Sequence, residues 1–388
     1  MGHSTLNQPG RDITRRASLK QVFALTGVSA GAALLNACGL AGATATAVPP
    51  AAASAAAPGA SAATSTEGVP TTSSTSQNAT STIVVAANAF LATLSDTEKK
   101  TGLFDWTDTA QKQRWSNFPA AGFKRAGLMW GNLSATQQNA WLAVMQALLS
   151  TEGYNRVMAE WSADDALLAQ EGTGGGFGKN NYYIALIGTP SETDPWQWQW
   201  GGHHVTINAT IVGSNIALTP SFIGVQPASY TDANGTTVRP LGDIADEAFA
   251  LVNSLDATQQ KTAVLGTKYI DLVLGPGQDG KTIQAEGLPA AQMTADQQAA
   301  FLKLIGHYTG LGNDATAAAR LAEIKSTLDQ TYLAWYGPTT EGSAAYFRVS
   351  GPTIVIEYSP QQMGGDAANH IHGIYRDPTI DYGAKYTQ

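Results

Sequence analysis

Cysteine is almost absent from this chain, which has one cysteine and six histidines among its 388 residues. The single thiol, Cys38, leaves no intramolecular disulfide and no site built from several thiolates. Any bound metal must therefore use imidazole, carboxylate or water as ligands. The histidines are few, but four of them stand in two short segments, His203-His204 and His370-Ile371-His372.

Long apolar runs are also missing. The run from 22 to 35 is too short and too weakly apolar for a stable spanning helix. It follows the twin arginine Arg15-Arg16 and precedes Leu35-Asn36-Ala37-Cys38, which is typical of a lipoprotein cleavage box. We therefore predict a twin-arginine signal peptide with a lipobox over residues 1–38. Alternatively, Cys38 is an incidental thiol in a discarded peptide.

This signal predicts a protein of the cell envelope. Lipidation of Cys38 would anchor it to the membrane, at the outer face of the cytoplasmic membrane or in the periplasm. Residues 39–82 consist of Ala, Ser, Thr, Pro and Gly with almost no charge. Because such a segment cannot bury a core, we expect a disordered linker there.

Basic residues are scarce. Residues 1–37 contain four of the 22 basic and one of the 30 acidic residues, so the remainder has a net charge of −11. Binding to phosphates requires a basic surface, which argues against nucleic acid as a partner.

A capping-box pattern recurs four times, with Ser, Asp or Thr as N-cap and Glu or Gln three residues later. The N-caps are Ser95, Ser134, Asp256 and Thr294. The first two boxes lie 39 residues apart and the last two 38. Residues 182–188 and 345–351 are also alike, and His204 stands 166 residues before His370. Chance similarity is the alternative to a duplication.

The predicted fold is α+β, a single duplicated domain over 83–388. Its pseudo-twofold halves, about 83–240 and 241–388, would pack helices around antiparallel strands. Apolar periodicity predicts helices at 137–160, 297–307 and 315–336 and strands at 182–187, 205–212, 346–349 and 353–358. The glycine-rich segment 172–178 lacks the Lys-Ser/Thr ending of a phosphate loop and predicts only a loop.

The histidines are the candidate metal ligands. His370 and His372 lie at i and i+2 of an extended segment, so their imidazoles share one face. His203 and His204 would point to opposite faces unless Gly201-Gly202 introduces a bulge. We predict that the ion contacts one of these two, while the other orients a ligand or contacts the substrate. Such a site suits zinc or copper.

Three charged residues near the histidines are candidate catalytic groups. Glu357 is the best carboxylate for a ligand or general base; alternatively it forms a cross-strand ion pair with Arg348. Asp377 would orient an imidazole and Arg376 would bind an anionic group. The alternative is that Arg376 and Asp377 close the turn at Pro378.

Trp196, Trp198 and Trp200 alternate along one predicted strand just before His203. Side chains spaced in this way share one face of a strand. Such a stripe is typical of a core, and otherwise it would form the wall of a pocket for a small-molecule or sugar-like substrate.

Three motifs resemble one known family: Trp196-x-Trp198-x-Trp200-x-Gly202-His203-His204, Thr219-Pro220-Ser221-Phe222, and His370-x-His372-x-x-Tyr375-Arg376-Asp377-Pro378. Together they are similar to the secreted bacterial proteins grouped as domain of unknown function 3500. The resemblance covers nearly everything from about residue 85 to the end. It implies one continuous exported domain and no particular activity.

Two hypotheses for the function follow. The first is a metal-dependent enzyme of the envelope, a hydrolase with zinc or an oxidase with copper, whose His-rich site lies between the two repeats. The second is a lipoprotein that binds metal or ligand with the same histidines but without turnover. A coordination position open to solvent favours the enzyme, and one closed by protein ligands favours the binder.

Overall fold

The computed structural model describes residues 72–387, with side chains from residue 79 onward. The predicted signal peptide and Cys38 lie outside the described residues. Within the described part the α-helices are Thr72–Ala92 (α1), Asp96–Gly102 (α2), Thr109–Lys112 (α3), Ala135–Leu148 (α4), Thr151–Glu171 (α5), Gly242–Ser254 (α6), Ala257–Ala263 (α7), Ala295–Thr309 (α8) and Asp314–Ser326 (α9). None of these helices is long and apolar enough to cross a membrane.

The strands follow in the same numbering: Leu103–Phe104 (β1), Leu128–Met129 (β2), Tyr183–Ile187 (β3), Trp196–Gly201 (β4), Thr206–Val212 (β5), Asn215–Ala217 (β6), Ser221–Val225 (β7), Tyr230–Thr231 (β8), Thr237–Val238 (β9), Val264–Gly266 (β10), Leu288–Pro289 (β11), Tyr332–Tyr336 (β12), Tyr346–Gly351 (β13), Ile354–Pro360 (β14) and Ile371–Arg376 (β15). The predicted α+β class is correct, because helices pack on a mostly antiparallel sheet.

One large sheet organises the fold, in the order β1-β3-β4-β5-β7-β15-β14-β13-β12-β10. β7 and β15 pair antiparallel at its centre. On each side of this pair three further antiparallel strands follow, and a short parallel strand ends the row. Two further strands of two residues each also pair antiparallel, β2 with β3 and β11 with β12.

All four predicted capping boxes are confirmed. Ser95, Ser134, Asp256 and Thr294 begin α2, α4, α7 and α8, and each accepts a hydrogen bond from a backbone N–H three residues on. The Glu or Gln side chains of the four boxes are themselves joined in pairs by hydrogen bonds. Nε2 of Gln137 lies 2.9 Å from Oε1 of Glu98, and Nε2 of Gln259 lies 2.9 Å from Oε1 of Gln297. The boxes thus satisfy orphan helix donors and connect successive helices.

Three predicted boundaries are wrong. The helix 137–160 is two helices, because Ser150 caps a new one through the N–H of Gly153. The helix 315–336 ends at Ser326, and Tyr332–Tyr336 forms β12 instead. The linker is shorter than predicted, because α1 begins at Thr72, and the hydroxyl of Thr80 on this helix donates to the carbonyl of Gly213.

The missed strand also shifts the predicted correspondence between the halves. β3 lies between the parallel strand β1 and the antiparallel strand β4. The strand in the same position between residues 241 and 388 is β12, which lies between the parallel β10 and the antiparallel β13. Residues 182–188 therefore do not correspond to 345–351, which form β13. Likewise His204 follows β4, whereas His370 precedes β15.

The two faces of the sheet differ. One face carries the helices other than α3 and two extensive hydrophobic clusters, which include Trp196, Trp198 and Trp200. The other face carries a small cluster of Trp115, Phe222 and Ile374 beneath the loops around residues 115 and 272. Residues directly opposite each other in antiparallel strands share a face. Gly224, His372 and Ser359 are aligned in this way, next to the row of Phe222, Ile374 and Glu357.

Candidate metal centre

Three imidazoles converge at the middle of the sheet. Nε2 of His370 lies 2.8 Å from Nε2 of His204 and 3.1 Å from Nε2 of His372. The possible ligand atoms of the three residues all lie within 4.8 Å of one another. In tetrahedral coordination with Zn–N bonds of about 2.05 Å, ligand nitrogens are roughly 3.3 Å apart. The spacing of the three atoms therefore fits a single ion.

The strand geometry explains His370 and His372. β15 begins at Ile371, so the two histidines flank it at i and i+2 and face the same side. Nδ1 of His370 lies 2.7 Å from the carbonyl oxygen of Met363. In a neutral ring the proton is then held on Nδ1, which leaves the lone pair of Nε2 directed at the other two rings.

The turn between β4 and β5 explains His203 and His204. His204 has φ of 68°, a left-handed conformation that is uncommon outside glycine. Because of it the two rings are not on opposite faces: their centroids are 3.5 Å apart. The strained residue is held by the hydrogen bond from the N–H of Val205 to the carbonyl of His203 (3.0 Å) and that from the N–H of Gly202 to the carbonyl of Val205 (2.9 Å).

His203 takes a different role from His204. Its Nδ1 lies 2.7 Å from Oδ1 of Asp164 on α5, and Oδ2 of Asp164 accepts from the N–H of Gly178 at 2.8 Å. Both His203 and Asp164 are buried. Asp164, His203 and His204 form a second group with metal-ligand spacing. His204 thus lies in the three-imidazole cluster, and His203 is paired with a carboxylate; which of the two would contact an ion stays a prediction.

Burial is the first cause of the electrostatic state of the cluster. It lowers the pKa of His204 and His372 well below the ordinary imidazole value, and the neighbouring imidazoles lower it further. Burial also lowers the pKa of His370, while the bond to Met363 opposes this shift. The three rings are therefore neutral at physiological pH, which is the form that binds metals.

A pocket of about 300 Å3 opens beside the cluster, and His203, His370 and His372 line it. Its remaining walls come from two loops, Asn117–Pro119 and Asp271–Gln278, and from Gln361 and Met363. The backbone of Asn117 also meets the turn, because its carbonyl accepts from the N–H of His204 at 3.5 Å. A side of the cluster therefore faces space that a small molecule fits.

Glu357 is not a lining residue of this pocket. Its two oxygens accept from the N–H groups of Val273 and Leu274, both at 2.7 Å, and one also accepts from the hydroxyl of Tyr346 at 2.7 Å. The alternative ion pair with Arg348 is not formed either, because Arg348 pairs with Glu286. Glu357 therefore holds the loop that forms the pocket wall.

Arg376 and Asp377 likewise lie outside the pocket lining. Arg376 donates to the carbonyl of Leu274 at 2.8 Å and pairs with Asp279 (3.1 Å) and Asp381 (2.9 Å). Asp377 pairs with Arg320 at 2.7 Å and accepts from Thr379. Neither contacts an imidazole within the described residues, so their contacts agree with the structural alternative.

The tryptophan stripe is core. Trp196, Trp198 and Trp200 have no exposed surface. Trp198 packs edge-to-face on Trp141, and Trp200 packs in the same way on Trp161. They line none of the pocket beside the histidines. The aromatic wall predicted for a sugar is therefore not built from these residues.

Two contacts of the site were missed in the sequence. Asp164 stands on a helix 39 residues before His203, and no local pattern connects them. Asn117 lies in a loop with no pattern that connects it to the histidines. Its Nδ2 lies 3.4 Å from the ring of His372.

The comparison with protein families decides the membership of this chain. The model of the family described as Protein of unknown function (DUF3500) matches residues 76–384. The chain belongs to this family. The match confirms the family resemblance of the histidine and tryptophan motifs, and it covers most of the described residues. Neither the curated proteins nor the solved structures gave a match.

Proposed function

We propose that the protein is a metal-dependent enzyme whose ion is held by His204, His370 and His372. The convergence of three Nε2 atoms beside a pocket carries this proposal. Three imidazoles leave one tetrahedral position free, which is typical of catalytic zinc sites. When bound, zinc would lower the pKa of a coordinated water for hydrolysis, whereas copper would supply redox chemistry.

The chain's own residues have defined tasks in this proposal. Met363 fixes the proton of His370 on Nδ1, so that Nε2 keeps its lone pair. Asp164 fixes the ring of His203 in the pocket wall. The left-handed backbone of His204 sets its ring among the others. The space beside the cluster favours the enzyme over the binder, because a site for storage or structure is usually closed by protein ligands.

Elemental analysis of the purified full-length protein tests the proposal. We expect one zinc or copper ion per chain in the wild type and a nearly complete loss in His370→Ala/His372→Ala. His307→Ala is the matched control, because His307 lies on α8 and pairs with Glu247 instead. Circular dichroism checks that all three proteins are folded. Equal metal content in the wild type and the double variant would exclude the site.

We also propose export by the twin-arginine route and anchoring at Cys38, on the sequence of residues 1–38 alone. Changing Arg15-Arg16 to Lys-Lys is expected to stop export, and unchanged export would remove the claim. Cys38→Ala is expected to convert a membrane-bound protein into one that salt washes release. A variant that stays in the membrane fraction would contradict the anchor.

We infer, finally, that the two halves arose by duplication, with a correspondence of strands that differs from the one predicted from the sequence. The equivalent strands would be β3 with β12, β4 with β13, β5 with β14 and β7 with β15. The equal surroundings of Gly127 and Gly287 support this, since each approaches a carbonyl of the equivalent strand, β3 or β12. Superposition of the two sets of strands in an experimental structure tests it, and a different connectivity would refute it.

A further inference from the structure

The pocket beside the three imidazoles is poor in charge. Of the described residues, no lysine or arginine lines it, and the only carboxylate is Asp271. Oδ1 of Asp271 is already engaged, since Nε2 of Gln361 lies 3.0 Å from it. The other polar side chains, apart from the histidines, are the amides of Asn117, Gln278 and Gln361. Amides bind uncharged groups by hydrogen bonds, whereas an anionic group that does not contact the metal would find no cation in these walls.

The mouth of the pocket is apolar. Phe118 is 54% exposed and Met363 is 76% exposed, and both line the pocket. The described residues expose five large hydrophobic side chains, and these two of the five line one pocket. Single exposed hydrophobic side chains need no explanation, but their grouping at one pocket marks a binding surface.

One wall of the pocket, the loop Asp271–Gln278, is held in place without any ligand. Glu357 accepts from the N–H groups of Val273 and Leu274, and Arg376 donates to the carbonyls of Leu274 and Gly275. Glu357 and Arg376 are both buried on the sheet below this loop. A wall that is held in place in this way loses little conformational entropy on binding, which favours affinity.

We propose that this pocket takes an uncharged, partly apolar small molecule, whose apolar body contacts Phe118 and Met363 while one polar group meets the metal. The inference rests on the proposed metal centre. The volume of about 300 Å3 agrees with it, because it lies at the lower end of the range for small-molecule pockets.

Three hydroxamates that share one metal-binding group test the inference by calorimetry on the zinc-loaded, full-length protein. Acetohydroxamate has almost no body, benzohydroxamate adds an uncharged ring, and 4-carboxybenzohydroxamate adds a charge to that ring. We expect benzohydroxamate to bind about tenfold more tightly than acetohydroxamate, because burial of the ring is favourable. The added carboxylate should remove about all of that gain.

Variants locate the effect in the walls. Phe118→Ala and Met363→Ala should each reduce the preference for benzohydroxamate over acetohydroxamate to about threefold or less. Leu265→Ala is the matched control, because Leu265 is an exposed apolar residue outside the pocket lining and should leave the preference unchanged. Acetohydroxamate affinity should be the same in all of these variants.

The outcomes separate this inference from the proposed function. A protein that takes up zinc but binds all three hydroxamates equally, or the charged one best, would refute the uncharged apolar pocket and leave the metal centre standing. Preference that survives both Phe118→Ala and Met363→Ala would also refute it. A protein that takes up neither zinc nor copper would refute both proposals together.

Discussion

Nε2 of His204 lies 2.8 Å from Nε2 of His370, although 166 residues of chain separate the two. The turn after β4 and the start of β15 are brought together because β5 and β15 both pair with β7 at the centre of the sheet. Two buried lone pairs at this distance repel unless a proton or a cation lies between them. A bound cation would take the place of the proton that otherwise joins the two nitrogens.

The contacts of the adjacent histidines predict different effects of their removal. His204→Ala removes a member of the three-imidazole cluster and should lower zinc affinity by several orders of magnitude. His203→Ala removes a ring that is paired with Asp164 and should weaken binding by only about 10–100-fold. Competition with a chromophoric chelator measures both. A greater loss in His203→Ala would assign the ion to the Asp164 group instead.

Zinc binding should persist to unusually low pH. Protonated imidazole cannot bind metal, so affinity falls when pH drops through the pKa of the ligands. Burial lowers the pKa of His204, His370 and His372. The rings therefore stay neutral below pH 6.5, and zinc should be released at a lower pH than the value of roughly 6 expected for exposed histidines. Dialysis of the zinc-loaded protein at a series of pH values, followed by elemental analysis, measures the release. Loss of zinc at a pH of about 6 or above would contradict the prediction.

The short-range features of the fold were predictable from sequence. Capping boxes depend on residues three apart, and the shared face of His370 and His372 follows from strand alternation alone. β12 was missed because the apolar residues Leu333 and Trp335 continue the apolar pattern of α9. What makes Tyr332–Tyr336 a strand is its pairing with β13 and β10, which is set by tertiary structure.

The site was predictable only in part. The convergence of the two histidine segments was expected, yet the backbone of His204 that makes it possible has a left-handed conformation that no local pattern indicates. Charged residues near the histidines were candidates for catalysis, but Glu357 and Arg376 hold backbone groups of a loop distant in sequence. Proximity in sequence to a site therefore does not distinguish a catalytic charged residue from one that holds a loop in place.

Two glycines should be indispensable to the fold. A Cβ at Gly127 would collide with the carbonyl oxygen of Ile184, and one at Gly287 with that of Leu333; both residues have positive φ. Gly127→Ala and Gly287→Ala should each lower the free energy of unfolding by about 3 kcal/mol or more. Gly235→Ala is the control, because φ is also positive there but no atom lies within 4 Å of an added Cβ, and about 1 kcal/mol is expected. Urea unfolding measures all three, and equal losses would show that the close approach has no effect.

Glu160 should make the protein less stable as pH rises. This residue of α5 is buried, and its closest cation, Nε of Arg156, is 3.7 Å from Oε1. Burial raises its pKa to about 8, while Arg156 opposes the shift. The folded protein therefore keeps a proton that the unfolded chain, with a pKa of about 4.3, has lost. Its contribution to stability is complete below pH of about 4 and is lost as pH rises to about 8.

Urea unfolding between pH 5 and pH 9 tests this sign. The free energy of unfolding of the wild type should fall relative to that of Glu160→Gln, by up to about 1.4 kcal/mol per pH unit and a few kcal/mol in all. Glutamine keeps the shape without the titration, so its own curve should be flatter. Glu171→Gln, at the exposed end of the same helix, should follow the wild type. Parallel curves for the wild type and Glu160→Gln would mean that Glu160 is ionised in the folded protein throughout this range, and hence that its burial is compensated by Arg156.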